Sequence, residues 1–494
     1  VVVDDVVASR IVIQIFWSHG HRIGNCCNVS TRLIRKTAMA ERERIETLII
    51  LGAGGDLTSR LLLPGLASFL ASDEAQSLTL IGVDRQEMDD AAWQKRVAAS
   101  FESQKSSVSR QVVDGARYLK ADVTDAGQLR KILAQASGRV ALYFALPPAI
   151  THTVCTGLAN ELLPEGIVFA LEKPFGTDES SARSLNRLLA KILPEEQIFR
   201  VDHFLGKSTV LNLLGLRFAN RIFEPLLGAP NVAKVELIFD EPLALEGRAG
   251  YYDRAGAVVD MIQSHLLLVL ALTAMEPPAS VDSEDLRGAM AQVLRATRVQ
   301  IKDGACARRA RYTAGTIGDR ELPAYVDEDG VNAELGTETL AEVTCEIDNW
   351  RWAGVPFVLR SGKAIGEARQ DIVITFAPVP HLPRGLTGMA EPAQLTISIK
   401  PATLELDLIV NGEGDPFALD RTKLTTTLED PAMSAYGEVI AALIDGDPVL
   451  SVRGDVAEQC WRIVTPVIEA FRENRVPLDE YPAGSQGPTS WSRA

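Results

Sequence analysis

The sequence predicts a chain in two parts, a doubly wound α/β domain followed by an α+β domain with a large, mostly antiparallel sheet. Three observations predict it. Short, almost wholly apolar strand candidates alternate with helix candidates through the first 205 residues. A glycine-rich turn, Gly52-Ala53-Gly54-Gly55, joins the first of these strands to the first helix. Beyond residue 210 the strand candidates alternate apolar with polar residues, and few helices intervene. Continuous apolar strands suit a parallel sheet covered by helices on both faces, whereas alternation suits an antiparallel sheet covered on one.

The elements follow in order. Thr47–Leu51 is the first strand, Gly52–Asp56 the turn, and Leu57–Leu70 a helix. Leu78–Val83 is the second strand and Ala91–Ser100 a helix; Val140–Leu146 is a strand stopped by Pro147-Pro148. Ile167–Leu171 and Ile198–Val201 complete a Rossmann-type domain over residues 45–205. In the second domain, residues 206–494, strands are predicted at Val232–Phe239, Glu338–Asp348, Val355–Arg360, Asp371–Phe376, Gln394–Lys400 and Leu404–Val410. Helices are predicted at Val258–Met275, Ala432–Leu443 and Val456–Glu473. The first of these is the longest apolar run, but Asp260, Gln263, Ser264 and His265 interrupt it, so it reads as a buried helix and not a membrane span. Residues 1–44 stand outside both domains. They carry Arg10, Arg22, Arg32, Arg35 and Lys36, and lead to Met39. They read as a disordered extension or a start set too far upstream, with an organelle transit peptide as the lesser alternative.

A net charge of −15 over 494 residues, with a pI near 5.1, argues against nucleic acid or an anionic membrane as partner. Any bound anion must meet locally gathered positive charge. The six cysteines, Cys26, Cys27, Cys155, Cys306, Cys345 and Cys460, form no C-x-x-C pair and no metal-type spacing with histidine. That pattern implies a reducing, cytoplasmic setting without disulfides or a metal.

The turn Gly52, Ala53, Gly54, Gly55, Asp56, Leu57 is placed to cradle a pyrophosphate against a helix N-terminus, although Leu57 departs from G-x-G-x-x-G. Cofactor choice belongs to the end of the second strand, where two readings compete. Asp84 suits a ribose diol and hence NAD, while Arg85 suits a 2′-phosphate and hence NADP. Arg60, in the first helix, adds charge, and the balance tips to NADP with NAD as the alternative.

Of six histidines, His203 and His265 sit in polar-loaded stretches of apolar segments. Arg200 to Lys207 follows a strand and opens a helix, which sets His203 and Lys207 where a phosphate binds. Gly206-Lys207-Ser208 is not a P-loop, because Val201 stands where the upstream glycine is needed. Five residues along an α-helix turn about 500°, so Asp260 and His265 should point about 140° apart. Asp202 is then the natural carboxylate to hold the His265 ring, leaving the other nitrogen as a base. Singly, each of these residues reads as a satisfied core histidine or a solvated charge; their concentration at strand ends and helix starts argues otherwise.

Together these segments resemble the glucose-6-phosphate dehydrogenase family. The resemblance runs through Gly52–Leu57, Tyr143 to Pro148, Glu172-Lys173-Pro174-Phe175-Gly176, Arg200–Lys207, Leu216–Phe223, Glu246–Tyr252, Val355–Lys363, Trp461–Pro466 and Tyr481–Pro488. It implies a homodimer or homotetramer built through the large sheet, oxidising glucose 6-phosphate at C1 with NADP, the first step of the oxidative pentose phosphate pathway. It implies His265 as general base, Asp202 as its orienter, and His203 and Lys207 on the sugar phosphate. Lys173, Glu241, Asp260 and Lys363 would meet the sugar hydroxyls; Lys173 and Tyr143 would approach the cofactor, and Pro174 would follow a cis bond. His203, Lys207, Lys173, Lys363, Arg60 and Arg85 would be the local cations an acidic chain needs. Phe204 departs from the family's tyrosine, which implies one lost phosphate contact and weaker substrate affinity, and Pro242-Leu243-Ala244 departs from Pro-Phe-Gly. Two other readings remain: a non-catalytic paralogue that binds NADP or a sugar phosphate, and a dehydrogenase for another hexose 6-phosphate.

Overall fold

The structure is a computed structural model that describes residues 44–72, 75–299, 306–429 and 431–491. The reading made for residues 1–44 lies, but for residue 44, outside the described residues. β1 (Thr47–Leu51), β2 (Thr79–Asp84), β3 (Arg117–Lys120), β4 (Val140–Phe144), β5 (Val168–Glu172) and β6 (Ile198–Val201) form one six-stranded sheet in the order β3-β2-β1-β4-β5-β6. Every neighbouring pair is parallel. β1 and β4 are buried at all five positions, as two-sided cover requires. The strand order reverses between β1 and β4, and such a switch opens a ligand crevice at the carboxyl ends of the strands. β3 (Arg-Tyr-Leu-Lys) gives no apolar run because it is an edge strand with charged ends.

The second sheet has ten strands. From one edge they run Leu419–Thr427, Thr403–Asn411, Gln394–Ser398, Arg369–Phe376, β7 (Val232–Asp240), Phe357–Gly362, Leu340–Ile347, Ala307–Thr313 and Leu478–Pro482, with Thr297–Arg298 also paired to Leu340–Ile347. Two of these pairings are parallel: β7 with Phe357–Gly362, and Ala307–Thr313 with Leu478–Pro482. The remainder are antiparallel. Ala307–Thr313 escapes the sequence pattern because its polar residues find partners inside: Arg309, 3% exposed, donates to Val476 O and Asn474 Oδ1.

The apolar run near residue 260 is a broken helix. Ala249–Ala257 is followed by a π-helical stretch, Val258–Leu266, and by Leu267–Ala274, whose residues are all buried. A single apolar core joins both sheets, taking in Leu51, Leu142 and Phe169 from the first, Leu237 and Leu359 from the second, and Leu267 and Trp461 from the helices between. This shared core fixes the carboxyl edge of the parallel sheet against the π-helical stretch.

A candidate active site at the carboxyl edge of the parallel sheet

Three strand ends place the first residues. Gly52 follows β1, Lys173 follows β5 and Asp202 follows β6. Asp202 caps the short turn His203–Gly206, its Oδ1 accepting from Phe204 N at 3.0 Å. The same oxygen lies 2.6 Å from His265 Nδ1, with Asp202 and His265 only 1% and 2% exposed. The sequence had put Asp260 and His265 on different faces, and that geometry is corrected by the π-helix. Its hydrogen bonds close i→i+5, so residues five apart lie nearer one face than they would in an α-helix. Asp260 therefore does bear on His265, and its charge is among those that raise the imidazole pKa. The hydrogen-bond partner is Asp202 all the same. The altered winding also serves Lys173, whose Nζ donates to the Asp260 backbone carbonyl at 2.7 Å. The Lys173–Pro174 peptide is cis.

Electrostatics sets the protonation states. Burial alone would raise the Asp202 pKa, but the His265 ring, Lys173 and His203 hold it well below the usual carboxylate range. Burial pushes the His265 pKa down, against the pull of Asp202. Asp202 is thus ionised and only accepts, so Nδ1 of a neutral His265 carries the proton and Nε2 keeps a lone pair. Asp202, His203 and His265 present ligand-type atoms within 4.8 Å of one another. The short Asp202–His265 hydrogen bond already occupies two of these atoms, which makes the cluster an acid–base pair.

On the phosphate side, one expectation fails. Burial, followed by the neighbouring His265 ring, pushes His203 down to about 3, so it is neutral at physiological pH and is not a standing cation. Arg60 lies in an exposed ion pair with Asp56 at 3.1 Å. Lys207 supplies the charge; burial lowers its pKa, and Glu241 opposes the shift. Phe204, 1% exposed, stacks on His265 with ring centres 4.2 Å apart and planes at 15°, while Lys207 Nζ lies 4.5 Å from its centre. The ring is a shelf between base and cation, a role not legible from its sequence position.

Glu241, Asp260 and Lys363 come together as expected. Lys363 Nζ lies 3.1 Å from Glu241 Oε2 and 4.0 Å from Asp260 Oδ2. Tyr481, from the last strand, fixes the lysine by donating its hydroxyl to Lys363 O at 2.6 Å.

The glycine turn fits a dinucleotide cradle. Gly52 has φ +88°, and a Cβ there would stand 2.2 Å from Ala145 O. Ala53 is fully buried, Asp56 is exposed, and Leu57 leads into the π-helical first turn Thr58–Leu62. Arg85 is exposed one residue beyond β2. Tyr143 is a correction: it has no exposed surface and donates its hydroxyl to Glu172 Oε1 at 2.5 Å.

Three residues at the site, Tyr436, Glu338 and Arg96, gave no sequence signal, and a fourth, Glu172, was read only as part of the Glu172–Gly176 motif. Burial holds Glu172 up at about 7, between Tyr143 and Tyr436. Tyr436 arrives from the C-terminal half and stacks on His203 at 5.4 Å. Glu338, also raised to about 7 by burial, accepts from Val258 N at 3.1 Å and so caps the stretch that carries Asp260 and His265. Arg96 donates to Gly54 O at 2.9 Å and to Ser59 Oγ, bracing the glycine turn.

Comparison with known proteins decides the family. Residues 49–212 match the model "Glucose-6-phosphate dehydrogenase, NAD binding domain", and residues 214–494 match "Glucose-6-phosphate dehydrogenase, C-terminal domain". The chain belongs to the glucose-6-phosphate dehydrogenase family. It is 33% identical to glucose-6-phosphate 1-dehydrogenase of Zymomonas mobilis, covering 90% of this chain and 96% of that one. The corresponding enzyme of Gluconobacter oxydans is 36% identical, with 89% and 94% covered. The crystal structure of the Mycobacterium avium glucose-6-phosphate 1-dehydrogenase superposes with a TM-score of 0.79 at 32% identity, covering 91% of this chain and 96% of that one. A glucose-6-phosphate dehydrogenase solved with its substrate glucose 6-phosphate gives 0.80 at 28%, with the same coverage. The glycine turn, Lys173 and the Asp202–Lys207 segment lie within the glucose-6-phosphate dehydrogenase NAD-binding match; Glu241, Asp260, His265 and Lys363 lie within the C-terminal match.

Proposed function

We propose that the protein oxidises glucose 6-phosphate at C1 to the 6-phosphoglucono-lactone, with NADP as the hydride acceptor and NAD as the alternative. The observation that carries this reading is the buried 2.6 Å contact between Asp202 and His265, set beside Lys207 at the carboxyl edge of the parallel sheet. A bound dinucleotide supplies the acceptor for the hydride leaving C1. His265 Nε2 takes the C1 hydroxyl proton, and the oxygen left behind closes the lactone carbonyl as the C1–H bond breaks. Asp202, ionised, stabilises the imidazolium that results. Lys207 and His203 hold the phosphate, and a phosphate dianion beside His203 favours its charged form. Glu241, Asp260, Lys363 and Lys173 orient the hydroxyls. Phosphate binding far from C1 positions the reacting carbon.

This reaction is the entry to the oxidative pentose phosphate pathway. A homodimer or homotetramer through the large sheet is part of the proposal; its support is the outer strand Leu419–Thr427, mostly exposed and carrying Leu424 at 57% exposure. Initial rates of NADPH and NADH formation with glucose 6-phosphate test the proposal, set against other hexose 6-phosphates and unphosphorylated glucose. A kcat/KM highest for glucose 6-phosphate is the expected result. Reduction that favours another sugar phosphate, or no reduction by a folded protein that binds the dinucleotide, would replace the reading.

A further inference from the structure

Three aromatic rings touch His203 among the described residues, and Tyr436 alone lies parallel to it, with centres 5.4 Å apart and planes at 13°. Phe204 and His265 meet the imidazole edge-on, at 67° and 73°. Among the described residues no group hydrogen-bonds the His203 ring, so packing sets its orientation. Tyr436 is itself firmly held. It is buried, in the first turn of the helix Ala435–Ile444, which packs on the first sheet: Val439 and Ile440 share a core with Leu48 and Ala141. Two glycines let the chain close around it. A Cβ on Gly65, in the helix Leu63–Leu70, would fall 2.5 Å from Tyr436 Cβ, and one on Gly206 would fall 2.2 Å from Ala435 O. The Tyr436 hydroxyl bears on the Glu172 carboxyl, which also accepts from Tyr143.

From this we propose that Tyr436 is a positioning residue for the sugar phosphate: its ring orients the His203 imidazole toward the phosphate, and its face stabilises that imidazole when the bound dianion draws it into the charged form. An imidazolium over a phenol ring gains a cation–π attraction that a neutral imidazole lacks, so the gain is realised only with the anion in place. The inference rests on the reading of His203 as a phosphate ligand. It goes further by making the affinity of that ligand depend on a side chain that never meets the phosphate. A tyrosine that only filled space between the two helices would support dinucleotide and sugar phosphate alike, and this separates the two roles.

The test is calorimetric binding of glucose 6-phosphate and, separately, of NADP to the full chain, for wild type, Tyr436→Phe, Tyr436→Leu and Tyr436→Met, each also combined with His203→Asn. Phenylalanine keeps the ring; leucine and methionine keep a Cβ against Gly65 and lose it. The leucine and methionine variants should bind glucose 6-phosphate about tenfold more weakly, the worth of one desolvated cation–π contact. The phenylalanine variant should stay within about threefold of wild type, and NADP affinity should stay within about threefold throughout. With His203→Asn already present, losing the ring should cost less than about threefold, because the group it positions is gone. Initial rates should place the loss in KM, with kcat within about threefold. Glucose 6-phosphate affinity within threefold of wild type in both ringless variants, an equal loss of NADP affinity, an equal loss in Tyr436→Phe, or a full tenfold loss on top of His203→Asn would each overturn the inference while leaving the proposed function intact. Failure of the wild type to bind glucose 6-phosphate would overturn both.

Discussion

Replacing Asp202 with asparagine keeps the shape beside His265 and removes the charge. The contact at stake is buried, 2.6 Å long, and made to Nδ1. A hydrogen bond to an ionised partner contributes about 1.5–3 kcal/mol. At about 1.4 kcal/mol per decade, its loss lowers kcat by roughly 10–150-fold. Binding of the sugar phosphate should hardly change, because Asp202 faces the base and the backbone of Phe204. The pH profile adds a second signature. A neutral imidazole is the active form, so the rate rises with pH through the His265 pKa. The Asp202 charge raises that pKa against burial, and its removal lowers it. Steady-state kinetics from pH 5 to pH 9 should therefore show a lower plateau with its acid limb moved to lower pH. A plateau within twofold of wild type, or a limb moved to higher pH, would refute the reasoning.

Lys207→Met removes the principal cation of the phosphate side and should raise KM for glucose 6-phosphate at least tenfold with a smaller change in kcat; an unaltered KM would remove Lys207 from the phosphate. Phe204→Tyr restores a hydroxyl and should lower KM, as read by initial rates, whereas an unchanged or raised KM would mean the buried ring serves only as a shelf for His265. Glu338 holds its proton to about pH 7 when folded, against about 4.3 for an unfolded glutamate. Between these values the unfolded state has released the proton and the folded state has not, so stability falls as pH rises, by up to about 4 kcal/mol. Thermal unfolding of Glu338→Gln should therefore give a Tm difference from wild type that grows in favour of the variant from pH 5 to pH 8, and a constant difference would contradict the buried acid.

Strands with continuous apolar faces were legible, because two-sided burial leaves a run such as Thr47–Leu51 in the sequence. β3 and Ala307–Thr313 were not, since an edge position and buried arginine partners replace the apolar signal. The acid–base pair was legible because Asp202 and His265 stand out in apolar segments. The π-helical winding that brings Asp260 to the same side was not, because it depends on the Glu338 cap and on Lys173 bonding the Asp260 carbonyl. Tyr143 was expected at the cofactor only from the family resemblance, and its full burial against Glu172 could not be read from an apolar strand. His203 looked like a cation because the cost of its burial depends on Tyr436, from more than 200 residues away.

The central claim is that His265 Nε2 takes the C1 proton. The most direct measurement compares wild type with His265→Ala, reading dinucleotide reduction with glucose 6-phosphate alongside calorimetric binding of the same sugar. In the variant kcat should fall at least a thousandfold with substrate affinity kept within about fivefold, as loss of a general base requires. A variant that binds the sugar phosphate and retains more than a tenth of wild-type turnover would contradict it.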